Sequence, residues 1–129
     1  MIRIDIQKAR SLLSAAKRDY EFTLTITPSP QSSATIIRNV YESFRMLGEA
    51  KLALSGIKSA DHSMQIQELI RLPVDTKRPL QALQEIKRIR HSINYDGYEP
   101  RVTQAEDALD IARACFLSCY ELIIQEIQS

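Results

Sequence analysis

The sequence predicts an all-α protein, an antiparallel up-and-down bundle of four or five helices forming one domain over residues 1–129. Three observations carry that expectation. Apolar residues recur at steps of three and four through most of the chain. With only three glycines, no short run keeps the apolar/polar alternation between hairpin turns that a sheet requires. Breakers fall at Pro28-Ser29-Pro30, Gly56, Pro73 and Asp96-Gly97, so the helical runs are separated by short loops.

The first helix is expected over about Ile4 to Thr23, with Ile6, Ala9, Leu13, Ala16 and Tyr20 as its inner stripe. Residues 22–27 alternate like a strand but have nothing to pair with, and they read as loop. A second helix runs from Ser32 or Ser33, either of which can cap it, to Gly56. Its apolar side is Ile37, Val40, Tyr41, Phe44 and Leu47, and Arg38, Glu42, Arg45 and Glu49 form a charged stripe. That stripe suits either a solvated face or a dimer cleft. After a loop over 57–60, Asp61 caps a short helix ending near Pro73. A fourth helix is expected from Thr76, with Pro79 in its first turn, to Asp96-Gly97. The fifth opens on a capping box of Thr103 and Glu106 and turns Ala105, Leu109, Ala112, Phe116, Cys119 and Ile123 inward.

A net charge of +1 means that attraction to nucleic acid has to come from a local basic patch, not from the whole-molecule field. Cys115 and Cys119 have no further Cys or His close in sequence to complete a zinc set, so no metal or cofactor is expected. They suit buried thiols in a reducing cytoplasm. The first residues are charged from Arg3 on and lack the apolar core of a signal peptide, and no run approaches a membrane span. The expected location is cytoplasmic.

The fourth helix holds the residues with chemistry. Arg90 shares the side of Leu83, Ile86 and Ile93, whereas Arg88 projects to the opposite face. A guanidinium keeps its charge, so one turned toward an apolar face must find a carboxylate, a phosphate or a polar cleft. Glu42 or Glu49 of the second helix could be that carboxylate. Asn94 lies one turn on from Arg90, His91 sits about 100° around, and Tyr95 begins the exit, so the four converge at one helix end.

The run Arg88-Ile-Arg-His-Ser-Ile-Asn-Tyr-Asp-Gly97 resembles the signature region of HEPN domains (higher eukaryotes and prokaryotes nucleotide-binding), an arginine, a polar residue and, a few residues later, a histidine. Arg90 takes the place of the arginine and His91 that of the polar follower, and Tyr95 stands where the histidine belongs. The segment Asn39 to Ala50 is similar to the second helix of small HEPN proteins, and the alanine-rich closing helix fits as well. The resemblance implies a homodimer in which two such motifs line one positive cleft, and a metal-independent endoribonuclease where the motif is intact. Arg90, His91, Asn94 and Tyr95 would then be the catalytic set, and Lys87, Arg88 and Arg45 would bind RNA. With tyrosine in place of the histidine, weak or absent cleavage is expected, since about one phenol in a thousand is ionised at neutral pH. Two other classes fit the same residues: a non-catalytic module partnering a minimal nucleotidyltransferase, as in toxin-antitoxin pairs, and a purely structural bundle in which Arg90 is paired within the chain.

Overall fold

The computed structural model describes residues 4–58 and 61–128; the expectations for residues 1–3 and for 59–60 of the second loop lie outside the described residues. Among the described residues there are five α-helices, one 3-10 turn and no strand. Helix α1 (Ile6–Thr23) is capped by Asp5, whose carboxylate accepts from the Lys8 N–H at 3.0 Å. The helix starts later than its spacing predicts. The Asp5 N–H donates to the Ala53 carbonyl at 3.1 Å, which sets this end of α1 level with the end of α2. Ile6 lies at that open end and is exposed, while Ala9, Leu13, Ala16 and Tyr20 are buried.

Helix α2 (Ser33–Leu54) lacks the expected side-chain cap. The Ser32 hydroxyl is used on the other side, accepting from the Ser29 N–H at 2.9 Å and donating to the Thr27 carbonyl at 2.7 Å, so it closes the proline turn instead. Gly56 follows the helix with φ 76°, the left-handed stop that its position predicts. Helix α3 (His62–Ile70) is capped by Asp61, which accepts from the Ser63 N–H at 2.9 Å.

Helix α4 (Leu83–Asp96) does not begin at Thr76. Pro79 disfavours helical backbone at the residue before it and is itself extended, with ψ 138°; one 3-10 turn, Leu80–Ala82, leads into the helix. The Thr76 hydroxyl donates to the Arg78 carbonyl in that loop. At the far end Gly97 has φ 69°, and the Tyr98 N–H donates to the Ser92 carbonyl at 3.1 Å. Helix α5 (Val102–Gln128) starts ahead of Thr103, and the capping contact is shifted in register. The Gln104 side chain accepts from the Arg101 N–H at 2.8 Å and from the Tyr98 hydroxyl at 2.9 Å, which favours Gln104 over Glu106 as the residue reaching back.

Contacts between helices give their directions. Asp5 with Ala53 and Lys8 with Glu49 set α1 antiparallel to α2. Arg38 with Asn94 and Tyr41 with Arg90 set α4 antiparallel to α2, whereas Phe44 with Phe116 and Lys51 with Glu126 set α5 along it. Helices α1, α2, α4 and α5 therefore alternate in direction, and α2 packs against every other helix. The inner stripes of α4 and α5 are buried as their spacing predicts. Phe116 is the centre of the core, stacked on Tyr20 at 4.2 Å between ring centres and edge-on to Phe44 at 5.7 Å. Cys115 and Cys119 are buried free thiols, and burial pushes the Cys119 thiol up to about 12, which makes it unreactive. No helix among the described residues is long and apolar enough to cross a membrane.

Candidate functional site

The site lies where α3 rests across α2 and the middle of α4. Gly48 permits that approach: a Cβ there would stand 2.0 Å from the Gln65 carbonyl oxygen. Any side chain at position 48 would hold α3 away from α2. Because α3 sits this close, its first turn, with His62 and Ser63, is brought beside Tyr41 of α2 and Lys87 and Arg90 of α4.

At 100° per residue, Arg90, Lys87 and Asn94 fall within one 60° arc of α4, beside the buried apolar stripe. Each meets a different neighbour. The Arg90 guanidinium carbon lies 4.8 Å from the centre of the buried Tyr41 ring. Lys87 Nζ donates to Ser63 Oγ at 2.6 Å, and Arg38 Nε donates to Asn94 Oδ1 at 2.7 Å. Arg90 is half-buried and makes no hydrogen bond or ion pair with the described residues. The carboxylates that might have paired with it are taken. Arg45, whose side chain is 13% exposed, donates to both Glu42 oxygens at 3.0 Å, to Glu49 at 2.7 Å and to Gln65 at 3.1 Å.

Lys8 reaches Glu49 from α1 at 3.3 Å. Burial acts to raise the Glu49 carboxyl, but hydrogen bonds from Arg45 and Lys8 outweigh it and hold the group below the usual carboxylate range. The charged stripe of α2 is thus neither a bare solvated face nor an open cleft at this point; α3 covers Arg45, which donates to its buried Gln65. Burial raises the Tyr41 phenol against the opposing pull of Arg90 and Arg45, so it stays protonated at neutral pH.

Arg88 is exposed on the opposite face, as its position predicts, and pairs with Glu85 one turn back. His91 and Tyr95 form their own exposed pair, with ring centres 4.6 Å apart and Tyr95 70% exposed. Of the residues singled out in sequence, the fold brings Arg90, Lys87 and Asn94 together. It leaves His91 and Tyr95 at the flank, Arg88 behind, and Arg45 beneath α3 with its charge matched.

His62 is the residue that sequence reasoning passed over. Its ring centre is 6.3 Å from that of Tyr41, tilted by 45°. Burial lowers its pKa, and the Arg45 and Arg90 charges lower it further against Glu42 and Glu49, so the imidazole is neutral at pH 7. The available signal was a histidine just inside a well-capped short helix, but nothing local in sequence tied it to Arg90. No model of a known protein family, no curated protein and no solved structure matches this chain.

Proposed function

We propose that the chain is a HEPN-type helical protein that binds RNA at the phosphodiester backbone, through a face centred on Arg90 and completed in a homodimer by the same face of a second copy. The observation that carries this reading is the Arg90 guanidinium, half-buried on the Tyr41 ring with no carboxylate partner among the described residues. Such a group has already lost part of its water and retains all of its charge, so an incoming phosphate gains a strong charge-assisted pair. Lys87 supplies a second cation on the same arc, and the exposed Arg38 sits one turn away beside Asn94. The alternation of helix directions around α2 is compatible with the bundle that the sequence resemblance implies.

Filter binding of a single-stranded RNA oligomer over a range of salt concentrations tests the reading. Arg90→Ala is expected to weaken binding and to flatten the dependence of log K on log salt by about 0.7, the slope of one phosphate contact on a single strand. Unchanged affinity and slope would reject it. Binding to a nucleotidyltransferase with no affinity for RNA would replace it with the interaction-module reading.

A further inference from the structure

We propose that the cleft between α4 and α5 binds a free apolar α-amino acid, of leucine or phenylalanine size, held as its zwitterion between Arg101 and Asp107. The inference is independent of the RNA-binding reading, because the cleft opens on the other flank of α4. At 100° per residue, Glu85 and Ile89 fall on one side of Ile86, and Lys87, Arg90 and Asn94 on the other. The cleft exists because α4 and α5 both pack on α2 and hardly touch each other beyond the loop that joins them. Its floor is Ile37 of α2 with Ile86, Ile89 and Ala108, all more than nine-tenths buried, and about 260 Å³ of space lies over them.

The rim above this floor carries both signs of charge. On one side the Arg101 guanidinium makes no hydrogen bond or ion pair with the described residues. Beside it, Gln104 is turned by its neighbours. The Arg101 N–H requires the amide oxygen as acceptor, at 2.8 Å, and the Tyr98 hydroxyl donates to the same oxygen at 2.9 Å, so the NH2 end is left to donate. On the other side Asp107 and Asp110 share one cation, Arg78, at 2.6 and 3.0 Å, which leaves that corner with a negative charge in excess. Glu85, the remaining carboxylate, is already engaged: both its oxygens accept from Arg88. Arg101 and Asp107 thus line one cleft without pairing with each other.

An unmatched cation and an unmatched anion above an apolar floor are complementary to one class of small molecule. The ligand carboxylate accepts from the Arg101 fork and the Gln104 NH2, its ammonium donates to Asp107, and its side chain covers Ile86 and Ile89. A simple carboxylic acid would leave Asp107 unanswered, and a simple amine would leave Arg101 so; each lacks one of the two charge-assisted contacts. The space sets the size. Pockets for drug-sized ligands run from roughly 300 to 1,000 Å³, and this cleft, smaller than that, suits a single amino acid rather than a nucleotide.

Isothermal titration of the full-length chain with L-leucine and L-phenylalanine tests the inference. Isocaproate, which is leucine without its ammonium, and isoamylamine, which is leucine without its carboxylate, are the comparison ligands. At least one of the two amino acids is expected to bind saturably, and leucine about tenfold or more tighter than either comparison ligand. Arg101→Gln should remove the preference over isoamylamine, and Asp107→Asn the preference over isocaproate. Both positions are exposed, and Asp110 keeps Arg78 paired in the second variant, so the circular dichroism spectrum and thermal midpoint should be retained. No saturable heat with either amino acid up to about 10 mM overturns the inference. Equal affinity for leucine and the two comparison ligands overturns the zwitterion, and leucine binding that neither substitution changes overturns the location.

Discussion

Replacing Gly48 by alanine sets two effects of opposite sign against each other. Gly48 is inside α2, where alanine is favoured over glycine by about 1 kcal/mol from helix propensity alone. The added Cβ, however, would lie 2.0 Å from the Gln65 carbonyl oxygen and 2.6 Å from its carbon. The obstacle is backbone, which cannot swing aside as a side chain could. To restore ordinary contact α3 must retreat by more than an ångström, which breaks the 3.1 Å bond from Arg45 to Gln65 and loosens the buried Ile66 and Leu69. Overpacking of this kind costs about 1–3 kcal/mol, and with backbone in the way the upper part of that range applies. The net expectation is a loss of about 1–2 kcal/mol. An unfolding entropy of about 2.1 cal/mol/K per residue converts that loss into a fall in Tm of roughly 4–7 °C. Thermal unfolding followed by circular dichroism measures it. A Tm equal to or above that of the wild type would refute the close-approach argument and show that propensity decides at this position.

Gly97→Ala should also destabilise, for a different reason: nothing lies within 4 Å of an added Cβ, but φ is 69°, so the cost is the left-handed strain of about 1–2 kcal/mol, and Gly97→Asn should recover part of it. Arg90→Ala should cost less than about 1 kcal/mol in urea unfolding, because it orphans no carboxylate and loses only a cation–π contact, while Arg88→Ala should impair RNA binding less than Arg90→Ala does. A large stability loss on Arg90→Ala would return it to a structural role. Arg45→Met should destabilise by about 1–3 kcal/mol, since Glu49, 17% exposed, is left with Lys8 as its cation. The folded Glu49 carboxyl is depressed below its unfolded value, so its stabilisation is complete above the unfolded pKa and disappears as pH falls through the folded one. The acid-side fall of the urea midpoint should be shallower in Arg45→Met than in wild type. Light scattering should give a mass near twice 14.7 kDa; a mass of one chain at tens of micromolar would reject the homodimer.

Where a choice depended on neighbours along the chain, the sequence was readable. The faces of α4 and α5 follow from steps of three and four, and the left-handed stops at Gly56 and Gly97 follow from glycine itself. The helix starts were harder, because several polar residues compete for the same backbone groups. Ser32 is drawn into the proline turn, Gln104 wins over Glu106, and Pro79 holds the chain extended where the apolar pattern already reads as helix. For the site, Arg90 stood out because its position on α4 conflicts with its charge. Its setting did not, because Tyr41 and His62 approach from helices distant in sequence. Arg45 could have been discounted, since Glu42 and Glu49 stand three before it and four after it, the spacing at which helix neighbours pair.

Because α2 packs against every other helix, it can open only when the whole bundle opens, and its central amides should exchange with solvent at the rate set by global unfolding. Tyr41, on which Arg90 rests, belongs to that most protected segment. His62 does not. It is the first residue of a nine-residue helix that leans chiefly on α2, so α3 can lift away while the four longer helices stay folded. The candidate site is therefore expected to span a slower-exchanging and a faster-exchanging unit. Protection of the α3 amides that rises on adding an RNA oligomer, with those of α2 unchanged, would place the cost of assembling the site in the docking of that one short helix.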